Sequence, residues 1–275
     1  MSEGSITFIG TATTLIRCAG FTLLTDPNFL HRGELAYLGH GLASRRRTEP
    51  AMSVEELPRL DAVVLSHLHG DHFDRRAKAG LDKALPVVTT RHAARKLRPW
   101  GFTGTVGLRV RETHELAKDG ARVRITAVPA QHAHGPFRVL LPPVMGSLLE
   151  FTPAPGQAAA AGAAVGAPYR VWLSGDTLLS DDLRQVPEIA GAPIDLAVLH
   201  LGGTKILRTL LVTMDGEQGV GALELVRPHD TVPVHYDDYT VFRSPLRDFL
   251  AAVERRRPPT RVHEVARGET WHFAA

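Results

Sequence analysis

Ser66-His67-Leu68-His69-Gly70-Asp71-His72 places three imidazoles and a carboxylate close together, directly after the mostly apolar run Asp61-Ala62-Val63-Val64-Leu65. Neutral imidazole and carboxylate are the nitrogen and oxygen donors that Zn²⁺, Mn²⁺ or Fe prefer. Such a density of them is hard to explain as solvated surface or apolar core. The apolar run reads as a strand that delivers the chain to a turn. On extended backbone His67 and His69, two positions apart, project to one side. Asp71 and His72 follow on the next turn, a spacing suited to a second ion. One cation cannot readily use all four donors; a pair can.

Further along the chain, three more donors each end a short β-type run. They are His132 after Ala127-Val128-Pro129-Ala130-Gln131, Asp176 after Val171-Trp172-Leu173-Ser174-Gly175, and His235 after Thr231-Val232-Pro233-Val234. Loops that follow strands are where a rigid scaffold presents reactive groups. Two of the three have competing readings. Aspartate is a favoured helix N-cap, so Asp176 could cap the segment after it, and His134 competes with His132 from two residues on.

The H-x-H-x-D-H pattern, with this ordered trio behind it, resembles the metallo-β-lactamase superfamily. Phe8-Ile9-Gly10-Thr11-Ala12-Thr13-Thr14-Leu15 and Leu24-Thr25-Asp26-Pro27 look like the opening hairpin of the branch containing ascorbate-6-phosphate lactonase and N-acyl-phosphatidylethanolamine phospholipase D. The resemblance implies an α/β fold, a four-layer αββα sandwich of two mixed sheets with outer helices, its metal site at one edge between the sheets. It also implies a ligand set: His67, His69 and His132 on one metal, Asp71, His72 and His235 on the other, and Asp176 bridging both. Two divalent ions are expected, zinc first, with manganese or iron as alternatives. Such a pair, about 3.5–4 Å apart, shares a hydroxide formed near neutral pH that attacks a carbonyl carbon or a phosphorus, and then holds the developing oxyanion. Asp71 would orient that water and accept its proton, a catalytic role beside its ligand role.

Other residues are expected around this set. Asp26 either belongs to a Thr-Asp-Pro turn or, as the resemblance suggests, supports the metal site from behind. Ser66 and Ser174 are available to fix imidazole tautomers. His200, just before Gly202-Gly203-Thr204, is a candidate general acid or anion contact, with a buried, satisfied histidine as the alternative. Lys205 is solvated or binds an anion; Tyr236 and Tyr239 line the pocket or simply pack.

The ligands span residues 67–235 of a 275-residue chain, so dividing it would cut the site. One domain over 1–275 is expected, with a flexible insertion at about 153–169 where proline, glycine and alanine dominate. Hydrophobic residues at 44% and charged residues at 22% are ordinary for a soluble globular protein. No run approaches the roughly 18 apolar residues of a membrane span. The start lacks a basic, apolar leader, and the single cysteine, Cys18, excludes an internal disulfide, so a cytoplasmic location is expected. Cys18 itself reads as a small buried hydrophobe. The net charge is +3, the densest positive runs are residues 45–47 and 255–257, and only 6% of residues are aromatic. Nucleic-acid binding wants basic and stacking side chains interleaved, so both arginine runs read as solvated surface.

Periodicity predicts strands at 6–9, 13–18, 21–24, 62–65, 86–89, 104–111, 121–128, 170–174, 194–199, 231–234 and 261–265. A strand pair broken by Pro142-Pro143 is expected within 139–151. Helices are predicted at 75–81, 91–97, 180–186, 217–226 and 246–256, and residues 28–60 as a long loop with a short helix near 54–57. Strands alternating with helices in both halves point to two mixed sheets face to face.

The expected function is a dinuclear metal-dependent hydrolase of a small molecule, cleaving a lactone or ester. The alternatives are a phosphodiesterase of the phospholipase-D-like type and, from another class, a non-catalytic metal-binding protein. An anionic substrate would be favoured if His200, Lys205 or Arg243 face the pocket, and a lipid if Phe29, Leu30 and Tyr37 line an apolar groove. No cysteine stands at a ligand position, which argues against the antibiotic-degrading lactamases. The histidine-to-carboxylate exchange and flavin domain of the oxygen-reducing branch are also missing, as is the long insertion of the nucleic-acid-processing branch. Association into a homo-oligomer is left open.

Overall fold

The computed structural model describes residues 3–39, 41–133, 141–156, 167–206 and 210–275. The first half runs β1 (Glu3–Gly10), β2 (Thr13–Cys18), β3 (Phe21–Thr25), β4 (Leu35–Gly39), β5 (Leu42–Arg45), β6 (Ala62–Val64), α1 (Arg75–Gly80), β7 (Val87–Thr90), α2 (Arg91–Leu97) and β8 (Thr105–Leu108). The strands β9 (Thr113–Lys118), β10 (Ala121–Val128) and β11 (Gly146–Thr152) follow. Then come β12 (Tyr169–Leu173), α3 (Gln185–Ala190), β13 (Leu196–His200), β14 (Lys205–Ile206), β15 (Leu210–Leu211) and α4 (Gly216–Val226). The chain closes with β16 (Asp230–Val234), α5 (Leu246–Arg256), β17 (Arg261–Val262) and β18 (Thr270–Ala274).

Two seven-stranded mixed sheets result, ordered β18-β1-β2-β3-β6-β7-β8 and β17-β16-β13-β12-β11-β10-β9. In each, an antiparallel half joins a parallel half, at β3–β6 in the first and β12–β13 in the second. The period-2 alternation of side chains explains the layering. Ala62 and Val64 face the second sheet, in a core shared with Ile125, Leu149, Val171, Val198 and Val232. Val63 and Leu65 face outward onto Ala77, Ala93 and Leu97 of the first helix pair. Ala197 and Leu199 likewise pack on Val186, Val220, Leu223 and Phe249 of α3, α4 and α5. Strands buried on both faces read as unbroken apolar runs, which is why β6 and β13 were legible. No described helix is long and apolar enough to cross a membrane.

Several expectations are corrected. Residues 54–57 form one turn, closed by Leu57 N–H donating to Val54 O at 3.3 Å, rather than a helix. Pro58 disfavours helical backbone at Leu57, and so short a segment cannot offset helix nucleation. The expected loop at 28–60 contains the β4–β5 hairpin. In place of a helix at 180–186 there is a 3₁₀ turn, Asp181–Arg184, leading into α3. Between 141 and 152 the described residues form one strand, β11, while 139–140 lie outside them. Strands β9 and β18 were not foreseen: β9, Thr-His-Glu-Leu-Ala-Lys, is a polar edge strand of the kind that blunts a sheet margin. Cys18 is buried as expected, and burial raises its thiol pKa. Of the arginine runs, Arg255 and Arg256 are ion-paired to Glu217 and Glu224 on α4, but Arg46 is fully buried rather than solvated.

Candidate metal centre

Six strands of the two sheets end at one edge, and each delivers one or more of the chemically interesting side chains. Asp26 follows β3, the His67–His72 loop follows β6, His132 follows β10, Asp176 follows β12, His200 ends β13, and His235 follows β16. Carboxyl ends of strands are where α/β sheets place their ligands.

The seven predicted donors fall into two groups: His67, His69 and His132, and then Asp71, His72, Asp176 and His235, with donor atoms in each group within 4.8 Å of one another. In the first group His69 Nδ1 lies 2.9 Å from His67 Nε2 and 3.4 Å from His132 Nε2. Nitrogens held tetrahedrally at about 2.0–2.1 Å from zinc stand about 3.3–3.4 Å apart, so this spacing suits one cation. In the second group His72 Nε2 is 3.1 Å from Asp176 Oδ2, and His235 Nε2 is 3.5 Å from Asp71 Oδ2. Asp176 Oδ2 also lies 4.0 Å from His67 Nε2, which places this oxygen between the groups. Asp176 caps nothing, since the next helical turn begins after Ser180.

The donor set fits a metal by a second test. Among the described residues, Asp71 Oδ1, His72 Nε2, Asp176 Oδ1 and His235 Nε2 are buried and make no hydrogen bond. The 3.1 Å contact of His72 with Asp176 is an ion pair and is not aligned as a hydrogen bond. Buried polar atoms without partners are costly in an interior, and their concentration here is explained if a cation completes them.

The opposite ring nitrogens are held from behind. His132 Nδ1 is 2.6 Å from Val212 O and His235 Nδ1 is 3.1 Å from Leu201 O, so each Nδ1–H donates to a carbonyl and leaves Nε2 as the donor lone pair. His67 Nδ1 is 3.0 Å from Ser66 Oγ. His72 Nδ1 is 3.1 Å from Asp26 Oδ2. Asp26 also accepts from Ser66 N–H at 2.7 Å and Ser66 Oγ–H at 2.9 Å. Of its two readings, the supporting one matches this geometry. Its backbone sits at φ +35° and that of His235 at φ +64°, both in the left-handed region. Strain of this kind persists where surrounding contacts over-determine it.

The electrostatics differ between the groups. Burial, with the neighbouring imidazoles, holds His67 and His69 well below the ordinary histidine pKa, His69 at about 3, and burial lowers His132 too. For His72 and His235 burial is outweighed by carboxylates, chiefly Asp176, and both are raised. Burial would raise Asp176, yet His235 and His72 hold it well below the usual carboxylate range. Asp26 is held at about 2, burial being overcome by His72 and His200.

His200 is placed differently from the expectation of a substrate-side acid. It is buried, with Nδ1 3.2 Å from Ser174 Oγ and Nε2 3.2 Å from Asp26 Oδ2, so the alternative of a satisfied interior histidine describes it. Lys205 is exposed and shares with Arg243 a cavity of about 240 Å³ that includes none of the seven donors. Tyr239 is buried, and Tyr236 packs on Phe8 at a ring distance of 6.1 Å. Phe29 and Leu30 are buried, while Tyr37 is exposed. His134 lies outside the described residues.

Two residues that sequence reasoning missed brace the motif. Asn28 Nδ2 donates to Gly70 O at 2.8 Å, inside the His67–His72 loop, and its Oδ1 accepts from Tyr239 OH at 3.0 Å and from Arg46. Arg46 lies 3.5 Å from Asp238, which accepts from Thr11 N–H at 2.8 Å, and Thr11 O accepts from His235 N–H at 2.7 Å. One buried network therefore braces both ends of the ligand set. An asparagine after Thr-Asp-Pro was its only sequence signal; Arg46 was hidden in an arginine triplet.

Comparison with known proteins agrees with this geometry. A family model described as beta-lactamase superfamily domain matches residues 22–236. The chain is 25% identical, over 96% of its length and 74% of the relative's, to N-acyl-phosphatidylethanolamine-hydrolyzing phospholipase D 1 of Caenorhabditis elegans. It is 26% identical to a protein of Aeropyrum pernix named metal-dependent hydrolase, over 98% of this chain and 97% of that one. Among solved structures, isothiocyanate hydrolase from Delia radicum gut bacteria superposes with a TM-score of 0.76 at 21% identity, covering 98% and 99% of the two chains. The metallo hydrolase Igni18 of Ignicoccus hospitalis gives a TM-score of 0.68 at 21% identity, covering 99% of each. The two sheets, the motif after β6 and the family match over most of the length lead to one conclusion: this chain belongs to the beta-lactamase superfamily domain family and is a metal-dependent hydrolase of the metallo-β-lactamase superfamily.

Proposed function

We propose that the protein is a dinuclear hydrolase that cleaves a lactone or ester of a small molecule. His67, His69 and His132 would hold one cation, Asp71, His72 and His235 the other, and Asp176 both. The observation that carries this reading is Asp176 Oδ2, 3.1 Å from His72 Nε2 and 4.0 Å from His67 Nε2, linking the two groups. Bound there, divalent cations supply Lewis acidity and lower the pKa of a coordinated water toward neutrality. The chain's own part is orientation and proton handling. Val212 O, Leu201 O, Ser66 and Asp26 fix the imidazoles so that the correct nitrogens face inward. Asp71, whose buried Oδ1 makes no hydrogen bond, is placed to accept a proton from the attacking water. His200 supports Asp26.

Lactone or ester chemistry is preferred because the basic side chains considered for an anionic substrate are not free at the donor groups. Lys205 and Arg243 line the separate cavity, and Arg75, which lines a groove together with His69, is paired with Glu34 at 2.5 Å. Phosphodiester cleavage is the second reading, favoured by the similarity to a phospholipase D. Metal analysis of purified protein, with hydrolysis of γ-butyrolactone and bis-p-nitrophenyl phosphate before and after chelation, separates them. About two metals per chain and a chelator-sensitive lactonase support the proposal; chelator-sensitive cleavage of the diester alone selects the second reading. No metal under any loading condition would sink both.

Two further results are expected. Metal loading should release protons unequally: burial lowers the pKa of His67, His69 and His132, whereas carboxylates raise those of His72 and His235, so filling the second group should displace more protons. Affinity at the second group should therefore rise more steeply with pH than affinity at the first. Zinc titration in a weak indicator buffer measures this, and equal release for both equivalents would refute it. Replacing Asp26 with asparagine should weaken metal binding about 10–100-fold, as loss of a carboxylate behind a ligating imidazole does. Competition with a chelating dye reads it, and unchanged affinity would return Asp26 to a turn residue.

A further inference from the structure

We propose that the groove between the β4–β5 hairpin and the start of α1 receives an apolar arm of the substrate, so that the enzyme acts on an ester or lactone carrying an alkyl or aryl group. This rests on the hydrolase reading above. The groove, about 320 Å³, is lined by Leu35, Tyr37, Leu68, Phe73 and Trp100, with His69 in its wall; its two charged residues, Asp74 and Arg75, are bonded to backbone N–H groups and to Glu34. That volume is at the small end of small-molecule sites. His69 is half-buried while the other six donors are buried, so groove and donor groups meet at the one imidazole open to solvent.

The hairpin carries apolar side chains on both faces, with Ser44 among the inner positions and Arg45 among the outer ones. Its inner positions, Ala36 and Leu38, pack against Tyr239 and Phe242. Its outer positions on β4, Leu35 and Tyr37, are 51% and 62% exposed. Packing accounts for the inner face. Nothing within the described fold accounts for the outer one, and apolar side chains gathered beside a cleft mark a binding surface. The hairpin is also seated directly on the metal-site loop. Gly70 N–H donates to Tyr37 O at 2.9 Å, and a Cβ at Gly70 would stand 2.7 Å from Tyr37 N and O. Glycine at 70 thus fixes how close the apolar strip comes to His69. The occupant is the substrate's own apolar group, because the groove runs into the donor cluster.

The test has a binding arm and a kinetic arm, both on the metal-loaded full chain. Octanol should bind saturably and change tryptophan emission, a change that disappears in Trp100→Phe and in Leu35→Ser/Tyr37→Ser. Rates on p-nitrophenyl acetate, butyrate, hexanoate and octanoate should rise by up to about fourfold in kcat/KM per methylene buried. That slope should flatten in Leu35→Ser/Tyr37→Ser, whose melting curve confirms folding. Ester cleavage without chain-length dependence or octanol binding would overturn the groove and leave the hydrolase reading standing. Octanol binding that the double variant loses, with no ester cleaved, would uphold the groove and overturn the ester chemistry.

Discussion

Asp176→Ala is expected to lower kcat/KM by about 10³-fold or more, equivalent to about 4 kcal/mol of transition-state stabilisation, and to reduce bound metal below two per chain. The reason is its position. Asp176 Oδ2 is within 3.1 Å of His72 and 4.0 Å of His67, so one substitution removes a donor from both groups. The same carboxylate leads those that raise the pKa of His72 against burial. Without it His72 loses its proton more readily, so any cation that still binds the second group should displace fewer protons. Asp176→Asn separates charge from shape: it keeps one oxygen donor but removes the negative charge. Metal content and kinetics of the two variants, compared with His67→Ala, measure the effect. Full activity with two metals in Asp176→Ala would refute the bridging role and the assignment built on it.

Arg46→Met is expected to destabilise the fold by about 3 kcal/mol, because removing one member of a buried ion pair leaves the other charge uncompensated. Arg46 and Asp238 are both fully buried, 3.5 Å apart. Arg267, 3.0 Å from Asp238, remains as a partial counterion and keeps the cost at the lower end of the usual range. For a chain of this size that corresponds to a fall in Tm of about 6–12 °C. The pH dependence follows from the sign of the shift. Asp238 is buried, yet Arg46 and Arg267 depress its folded pKa. Its contribution is present above the unfolded aspartate value of about 3.9 and is lost as pH falls through the depressed folded value. Arg46→Met raises that folded value, so acid unfolding should begin at higher pH. Arg46→Met/Asp238→Asn should recover part of the loss. Thermal and acid melts of the two variants and the parent decide it, and a Tm within about 2 °C of the parent in Arg46→Met would mean that the network carries no stability.

Much of the candidate site was legible because its chemistry is local. His67, His69, Asp71 and His72 declare themselves by donor density, and His132, Asp176 and His235 each stand behind a short apolar strand. Strands buried on both faces, such as β6 and β13, are equally plain, since burial selects unbroken apolar runs. The weaker elements had no such signature: β9 is a polar edge strand, and the β4–β5 hairpin lies in a segment of mixed composition. The sequence alone determined the candidate donors and the family they resemble, because ligand chemistry is a property of side-chain types and their spacing. Only the tertiary structure decided which atoms meet: that His200 turns inward to Asp26, that Arg46 leaves the surface to pair with Asp238, and that the hairpin rests on Gly70. Those contacts join residues 174, 192 and 33 positions apart, and no local pattern encodes a pairing between segments that meet only when the chain has folded.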